Sequence, residues 1–517
     1  MRLTALAGLM ACAAPSLTFG QAGRAPSPEA LRRAAATITE ADTRRRIFII
    51  AHDSMGGRNT PSPGLTKTAE YIAAEFRRFG LKPGGDSGSF QAYYQIARKQ
   101  FMPAHSSIAF TNGSGNIRAT FERGAALVAG PTRADVRGQV VLVGGALNPD
   151  SVPADAVRGR FVVYVPEPGA QRLNRAGVRL LQRLGSSGAA GIAMVISADS
   201  VFALYARGQS FPQTVVGTGG RGIPIVAILE RGVVEQVPEA ADQFAQLRGA
   251  GSTMVVPLAD WSGEASLRDT TLSSTRAPNT VGILEGSDPV LRNEYLVYSA
   301  HMDHIGTAGQ PGASCRARGA DSICNGADDD GSGTVGIVEL AEAFSQPGAR
   351  PRRSVIFLTV SGEEHGLWGS ARFAANPPVP IDRIVANFNA DMIGRNWRDT
   401  VVVIGKEHSD LGATLARVNA AHPELRMAAI DDRWPEERFY NRSDHYNFAV
   451  KGVPVLFFFS GVHEDYHQAT DSPDKLDAEK QSRIVKLMFY LGQDVANAPA
   501  RPRWNPESYR QIVENRF

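Results

Sequence analysis

Apolar positions along the chain change period twice. Near the start they follow a helical spacing. Ala34, Ala35, Ile38 and Ala41 predict a helix over about 28–47, and Ala69, Ile72, Ala73 and Phe76 predict another over Thr66–Phe79, stopped by Gly80. The Gly/Pro/Asn-rich stretch Gly56–Gly64 between them reads as a loop. From about 115 to 265 short β-branched runs alternate with turns: Val140–Val143, Phe161–Val165, Gly191–Ile196 and Ile223–Leu229, with one helical stretch at Val178–Leu184. This reads as a small strand-rich unit with its own core. From about 278 onward the pattern is strand, loop, helix, repeated. Its apolar runs are Tyr295–Ala300, Val355–Val360, Ile384–Phe388, Val401–Ile404 and Val453–Phe459, with helices at Gly333–Phe344 and Leu411–Ala421. Near-continuous apolar strands alternating with helices predict an α/β fold, a mixed and largely parallel sheet covered on both faces.

Length adds that 517 residues exceed one hydrophobic core and imply two or three domains. The first residues stand apart. Arg2 precedes an apolar run from Leu3 to Phe19, broken by Pro15 and followed by small and polar residues. That is the form of a secretory signal over residues 1–22, so the chain is expected to be exported to the periplasm or outside the cell. Cys12, after Leu9-Met10-Ala11, offers a lipoprotein anchor as the lesser alternative. No other apolar run reaches ~18 residues, so no transmembrane segment is expected. With Cys12 removed, Cys315 and Cys324 remain, flanking a short polar loop, and an oxidising compartment would join them as a disulfide. Fifty-five Lys and Arg balance 52 Asp and Glu to leave +3, without a basic block, which gives no electrostatic case for nucleic acid or an anionic membrane.

The chemistry lies where strands end. Strand 295–300 runs into His301-Met302-Asp303, strand 355–360 into Ser361-Gly362-Glu363-Glu364, strand 384–388 into Asn389-Ala390-Asp391, and strand 453–459, through a loop, into Tyr466-His467. Sites in open α/β sheets form at the carboxyl ends of strands. A further cluster, Asp328-Asp329-Asp330-Gly331-Ser332-Gly333, stands just before a helix. Imidazoles and carboxylates suit zinc, and each catalytic zinc takes about three protein groups and keeps an open position. Five ligands serve two ions if one carboxylate bridges. Two ions ~3.5–4 Å apart can hold a hydroxide between them and bind a carbonyl oxygen. Glu363 is then left over beside the metals, as a general base must be.

The motifs His301-x-Asp303, Asn325-Gly-Ala-Asp-Asp-Asp-Gly-Ser-Gly333, Ser361-Gly-Glu-Glu364, Asn389-Ala-Asp-Met-Ile-Gly394 and Tyr466-His467 resemble the zinc aminopeptidase family. That family includes secreted bacterial leucyl aminopeptidases, glutamate carboxypeptidase and, more distantly, glutaminyl cyclase. The resemblance implies that Asp329 bridges two zinc ions, that His301 and Asp391 complete one site, and that Glu364 and His467 complete the other. It implies Glu363 as general base and later acid, Asp303 as the group holding the His301 ring, and Tyr466 as a candidate to polarise the scissile carbonyl. Physics alone does not select Asp329 among three consecutive aspartates. Oxygen-rich bridging would also admit cobalt or manganese.

The segment 115–265, through Val136-Arg-Gly-Gln-Val-Val and Gly185-Ser-Ser-Gly-Ala-Ala-Gly-Ile, is similar to an inserted protease-associated domain, and Gly57-Arg58 and Phe79-Gly-Leu-Lys-Pro83 resemble how such enzymes begin. Residues 23–114 and 266–517 would then form the peptidase domain. The expected function is hydrolysis of the N-terminal bond of peptides by a di-zinc aminopeptidase. A carboxypeptidase or dipeptidase is the alternative, with Arg395, Arg433, Arg438 or Arg442 to hold a substrate carboxylate. A non-catalytic, receptor-like binding protein on the same fold is the third reading. His304, His365, His445 and His463 are expected to support the site or face solvent rather than bind metal.

Overall fold

The computed structural model describes residues 23–113, 115–167, 175–217 and 222–514. The leader and Cys12 lie outside the described residues. Two sheets organise the chain. The larger runs in the order Ala428–Ile430, Thr400–Ile404, Val455–Phe459, Ile384–Asp391, Tyr295–His301, Ser354–Val360, Asp269–Leu284, Gln91–Phe101, Gln213–Val216. Its centre is parallel: Tyr295–His301 pairs with both Ser354–Val360 and Ile384–Asp391, and the latter with Val455–Phe459. Antiparallel strands flank that centre on both sides.

Every residue of Ser354–Val360 and Ile384–Asp391 is buried. Such strands need cover on two faces, and they have it. On one face the helices Gly333–Phe344 and Ala478–Asn497 cross, with Phe344 and Phe489 packed edge to face at 4.9 Å between ring centres. Tyr298 stacks on Phe357 and donates its hydroxyl to the Met488 carbonyl at 2.7 Å, tying the sheet to the long helix. On the other face Phe373 and Phe448, from two short helices, pack on Val297, Ile356 and Leu358.

The second sheet spans Ser107–Leu267 in the order Asn116–Thr120, Ser107–Thr111, Met254–Leu267, Ala134–Gly144, Phe161–Val165, Gly191–Ile196, Ile225–Leu229, Ala125–Ala129. Separate apolar clusters lie on its two faces, one around Phe110 and Phe161, the other around Leu180 and Met194. The lobe is not isolated. Its segment Gln213–Val216 pairs antiparallel with Gln91–Phe101, at the edge of the larger sheet.

One expectation is corrected. The helix over 28–47 is two helices, Pro28–Ala35 and Glu40–Ile50, because the Thr39 hydroxyl accepts from Asp42 N at 3.0 Å and starts a new helix. The strand Asp269–Leu284 was not anticipated, and its residues 270–276 are solvent-exposed. Polar Ser/Thr-rich stretches of that kind carry no apolar period to read. Cys315 and Cys324 form a disulfide. Among the described residues no helix is long and apolar enough to cross a membrane.

Candidate metal centre

Three parallel strands end side by side and deliver His301, the Ser361–Glu364 turn and Asp391 to one edge. The segment Ala327–Ser332 crosses that edge just before the helix Gly333–Phe344. Of its three buried aspartates, two are committed to the backbone. Asp328 accepts from Gly394 N at 2.7 Å, and its other oxygen faces His463 Nε2 at 3.2 Å. Asp330 accepts from His301 N at 3.1 Å, Gly333 N at 2.8 Å and Met392 N at 3.1 Å. Asp329 alone of the three turns its carboxylate to the basin.

Asp329 faces two ways. Its Oδ1 lies 3.3 Å from His301 Nε2, which lies 3.6 Å from Asp391 Oδ1. Its Oδ2 lies 3.2 Å from His467 Nε2, which lies 3.1 Å from Glu364 Oε2. The backbone is bent to achieve this. His467 takes φ +58° and Met392, directly after Asp391, φ +53°, a left-handed conformation costly for residues with a Cβ and concentrated at functional sites. Ser443 fixes Asp391 by donating to Oδ2 at 2.9 Å.

Glu363 stands between, with Oε2 4.0 Å from His301 Nε2. Burial pushes its carboxyl pKa well up, and the neighbouring Asp444, Asp391 and Glu364 push the same way, against the pull of His301. Burial opposes charge on His467, yet Asp329 and Glu364 outweigh it and raise the imidazole to about 10. So many buried carboxylates on one basin favour a cation. Asp329 Oδ2 and Glu364 Oε1 also have no hydrogen-bond partner among the described residues. Unpaired buried carboxylate oxygens are costly unless a cation satisfies them. The donor set of imidazole and carboxylate therefore fits zinc.

Asp303 meets the His301 ring with both its backbone and its side chain. His301 Nδ1 lies 3.2 Å from the Asp303 backbone carbonyl and 3.7 Å from its carboxylate. That carboxylate also accepts from Thr60 Oγ1 at 3.1 Å and Glu363 N at 3.3 Å, joining the loop after one strand to the turn after another. Tyr466 stacks on His467 with ring centres 3.9 Å apart. It lines the cleft above the basin with Met392, Phe439, Phe457, Phe459 and Val462. Of the four arginines considered for a carboxylate, Arg442 reaches this cleft. Arg395 is paired with Asp465 at 3.0 Å, and Arg433 lies over the Trp397 ring.

The structure brings to the basin two groups that had no assigned role there, His304, expected to support the site or face solvent, and Arg58, named only in the resemblance. His304 is fully buried with Nδ1 2.8 Å from Glu364 Oε1. Its position one residue after Asp303 was the only local sign. Arg58 is also fully buried, and it donates to the carbonyls of Met302, Ile50, Asn325 and Gly326 behind the basin. His365 contacts Asn59 Oδ1 at 3.0 Å and stacks on Trp368, and His445 stacks on Phe457.

Sheet and basin together define a mixed α/β protein that gathers imidazoles and carboxylates at the carboxyl edge of its parallel strands. Residues 279–492 match peptidase family M28. A probable zinc metalloprotease of Pyricularia oryzae is 27% identical over 226 residues, 34% of this chain and 43% of that protein. A vacuolar membrane protease of Sclerotinia sclerotiorum is 29% identical over 231 residues, 44% of this chain and 18% of that protein. The chain spans about half or less of the length of the curated relatives it matches. An aminopeptidase from Aneurinibacillus sp. strain AM-1 aligns over 92% of this chain and 98% of its own, at 18% identity and a TM-score of 0.46.

Proposed function

We propose that the protein is an exported zinc-dependent aminopeptidase that binds two zinc ions and hydrolyses the N-terminal bond of peptides. The observation that carries this is the two-sided Asp329 carboxylate, one oxygen toward His301 and the other toward His467. His301, Asp329 and Asp391 would hold one ion, and Asp329, Glu364 and His467 the other. When bound, such ions supply Lewis acidity that polarises a peptide carbonyl and eases deprotonation of water.

The protein's own groups do the rest. Glu363 takes a proton from the attacking water as its oxygen bonds to the carbonyl carbon, and returns that proton to the leaving nitrogen as the C–N bond breaks. Asp303 holds Glu363 in place through its backbone N–H. Tyr466, which lines the cleft above the basin, would donate to the carbonyl oxygen. The apolar cleft of Phe439, Phe459 and Val462 suits an apolar side chain on the residue released. The lobe over 115–265 is read as the protease-associated insertion, supported by its separate sheet and cores. The disulfide supports export.

The test is metal content together with hydrolysis of aminoacyl-p-nitroanilides by the parent and by Glu363→Gln. Two zinc ions per chain are expected in both, with activity about 10²–10⁴-fold lower in the variant. A variant as active as the parent would remove Glu363 from the reaction.

Arg442 in the cleft wall favours one second reading, a carboxypeptidase or dipeptidase in which it holds the substrate's carboxylate. Hydrolysis of N-acetylated peptides with a free C-terminus, and none of free-amine substrates with a blocked one, would select it. A zinc-loaded protein inert toward both would point to the binding-protein reading.

A further inference from the structure

His304 is a buried imidazole beside the basin that the proposed reaction leaves without a task. It follows the strand Tyr295–His301 by three residues and has no solvent exposure. Its place is built. The ring lies against Gly326, where an added Cβ would come within 2.4 Å of His304 Cγ, so that position has room only for glycine.

Nδ1 of His304 points into the half of the basin held by Glu364 and Asp329, 2.8 Å from Glu364 Oε1 and 3.7 Å from Asp329 Oδ2. Among the described residues, His304, Asp329 and Glu364 bring their ligand atoms within 4.8 Å of one another, as His301, Asp329 and Asp391 do. Close as they are, Nδ1 and Glu364 Oε1 are not aligned as donor and acceptor. Among the described residues both remain without a hydrogen-bond partner, as does Nε2. A fully buried imidazole is seldom left so. A cation shared with Glu364 and Asp329 would satisfy Nδ1.

His467 approaches the same two carboxylates from another direction. Its ring centre is 5.7 Å from that of His304, and the planes are inclined at 68°. Four protein groups therefore converge on this half: Asp329 Oδ2, Glu364, His467 Nε2 and His304 Nδ1. The other half has three, His301, Asp329 and Asp391. Zinc takes four ligands in closed sites and three protein ligands where a position must stay open to water or substrate.

We propose that His304 is a fourth protein ligand of the position formed by Asp329, Glu364 and His467, which closes that site, while the His301–Asp329–Asp391 position stays open. This rests on the two-zinc reading above. It divides the centre into a tightly held ion that organises Asp329 and an exchangeable one that faces substrate. It also makes the two sites fill in order.

The test is zinc K-edge X-ray absorption on the metal-depleted full chain given one equivalent of zinc, with zinc affinity measured by chelator competition. The parent is expected to show two imidazole nitrogens on the first ion and two separated binding steps. His304→Ala is expected to show one imidazole and a tight step weakened at least ~10-fold. His304→Asn, which keeps an N–H toward Glu364 but has no imidazole, should be weakened like His304→Ala. A single imidazole in the parent would overturn the proposal without any variant having to fold. Parent-like affinity in His304→Asn would also overturn it, and would make His304 a positioning residue for Glu364. Failure to bind zinc at all would sink the two-zinc reading with it, whereas zinc bound through one imidazole sinks only the role of His304.

Discussion

Arg58 Nη2 donates to the Gly326 carbonyl at 2.8 Å, across 268 residues of sequence. The same guanidinium binds the Asn325 carbonyl at 2.6 Å and, through Nε, that of Met302 at 2.8 Å. It thus joins the loop after His301 to the segment that leads into Asp329. Burial pulls its pKa down, and Asp303, Asp471, Asp329 and Asp330 oppose that pull.

Arg58→Met removes these bonds, at about 1–3 kcal/mol for each buried carbonyl left without another donor, while Gly326 keeps the Gly331 N–H. A loss of at least ~3 kcal/mol in denaturant unfolding is expected, together with weaker zinc retention. Arg58→Lys should recover only part of either, since one ammonium cannot reproduce the planar fork. Unchanged stability in Arg58→Met would show that the carbonyls find other partners.

The cleft predicts a preference for apolar residues. Val462 lines it and is 47% exposed, so it tolerates substitution without disturbing the core. Val462→Asp should lower kcat/KM for leucyl substrates roughly 10-fold. The loss should be smaller for lysyl substrates, whose ammonium the new carboxylate attracts. Equal losses for both would detach Val462 from side-chain recognition.

Asp288 predicts an acid dependence of stability. The Leu291 backbone N–H, with Arg352 and the Val290 N–H, holds its carboxyl down to about 2. A depressed folded-state pKa gives stability that is complete above the unfolded value near ~4 and lost as pH falls through the folded value. Asp288→Asn should therefore be less stable than the parent by a constant amount at neutral pH. The gap should narrow from about pH 4 toward about pH 2. A gap that does not change over that window would place the stabilisation in shape rather than charge.

The disulfide between Cys315 and Cys324 closes a short loop beside Ile305 and Ala469. Closing so small a loop is worth about 2–3 kcal/mol in the chain-entropy model. Reduction, or the double variant Cys315→Ser with Cys324→Ser, should lower the denaturant midpoint accordingly. Zinc retention should fall as well, because Cys324 leads directly into Asn325-Gly326 and Asp329. A midpoint insensitive to reductant would mean the loop is held by its packing alone.

Much of the centre was legible in the sequence, for a local reason. Apolar runs such as Tyr295–Ala300 and Ile384–Phe388 mark buried parallel strands, and the polar residues within a few positions past each run emerge at the sheet edge. That placed His301, Glu364 and Asp391 together before any coordinates, and the helix Gly333–Phe344 was readable to its ends. Tertiary contacts decided the rest. Asp329 differs from Asp328 and Asp330 because Gly394, Met392 and His301, distant in the chain, bring backbone N–H groups to its neighbours and leave it unclaimed. His304 turns inward because Gly326 lacks a Cβ where its ring must lie. Arg58 serves the centre from a helix–loop far upstream. A strand's period is written in adjacent residues. Which buried carboxylate keeps its oxygens free depends on which donors the fold brings against the others, and spacing in the sequence does not encode that.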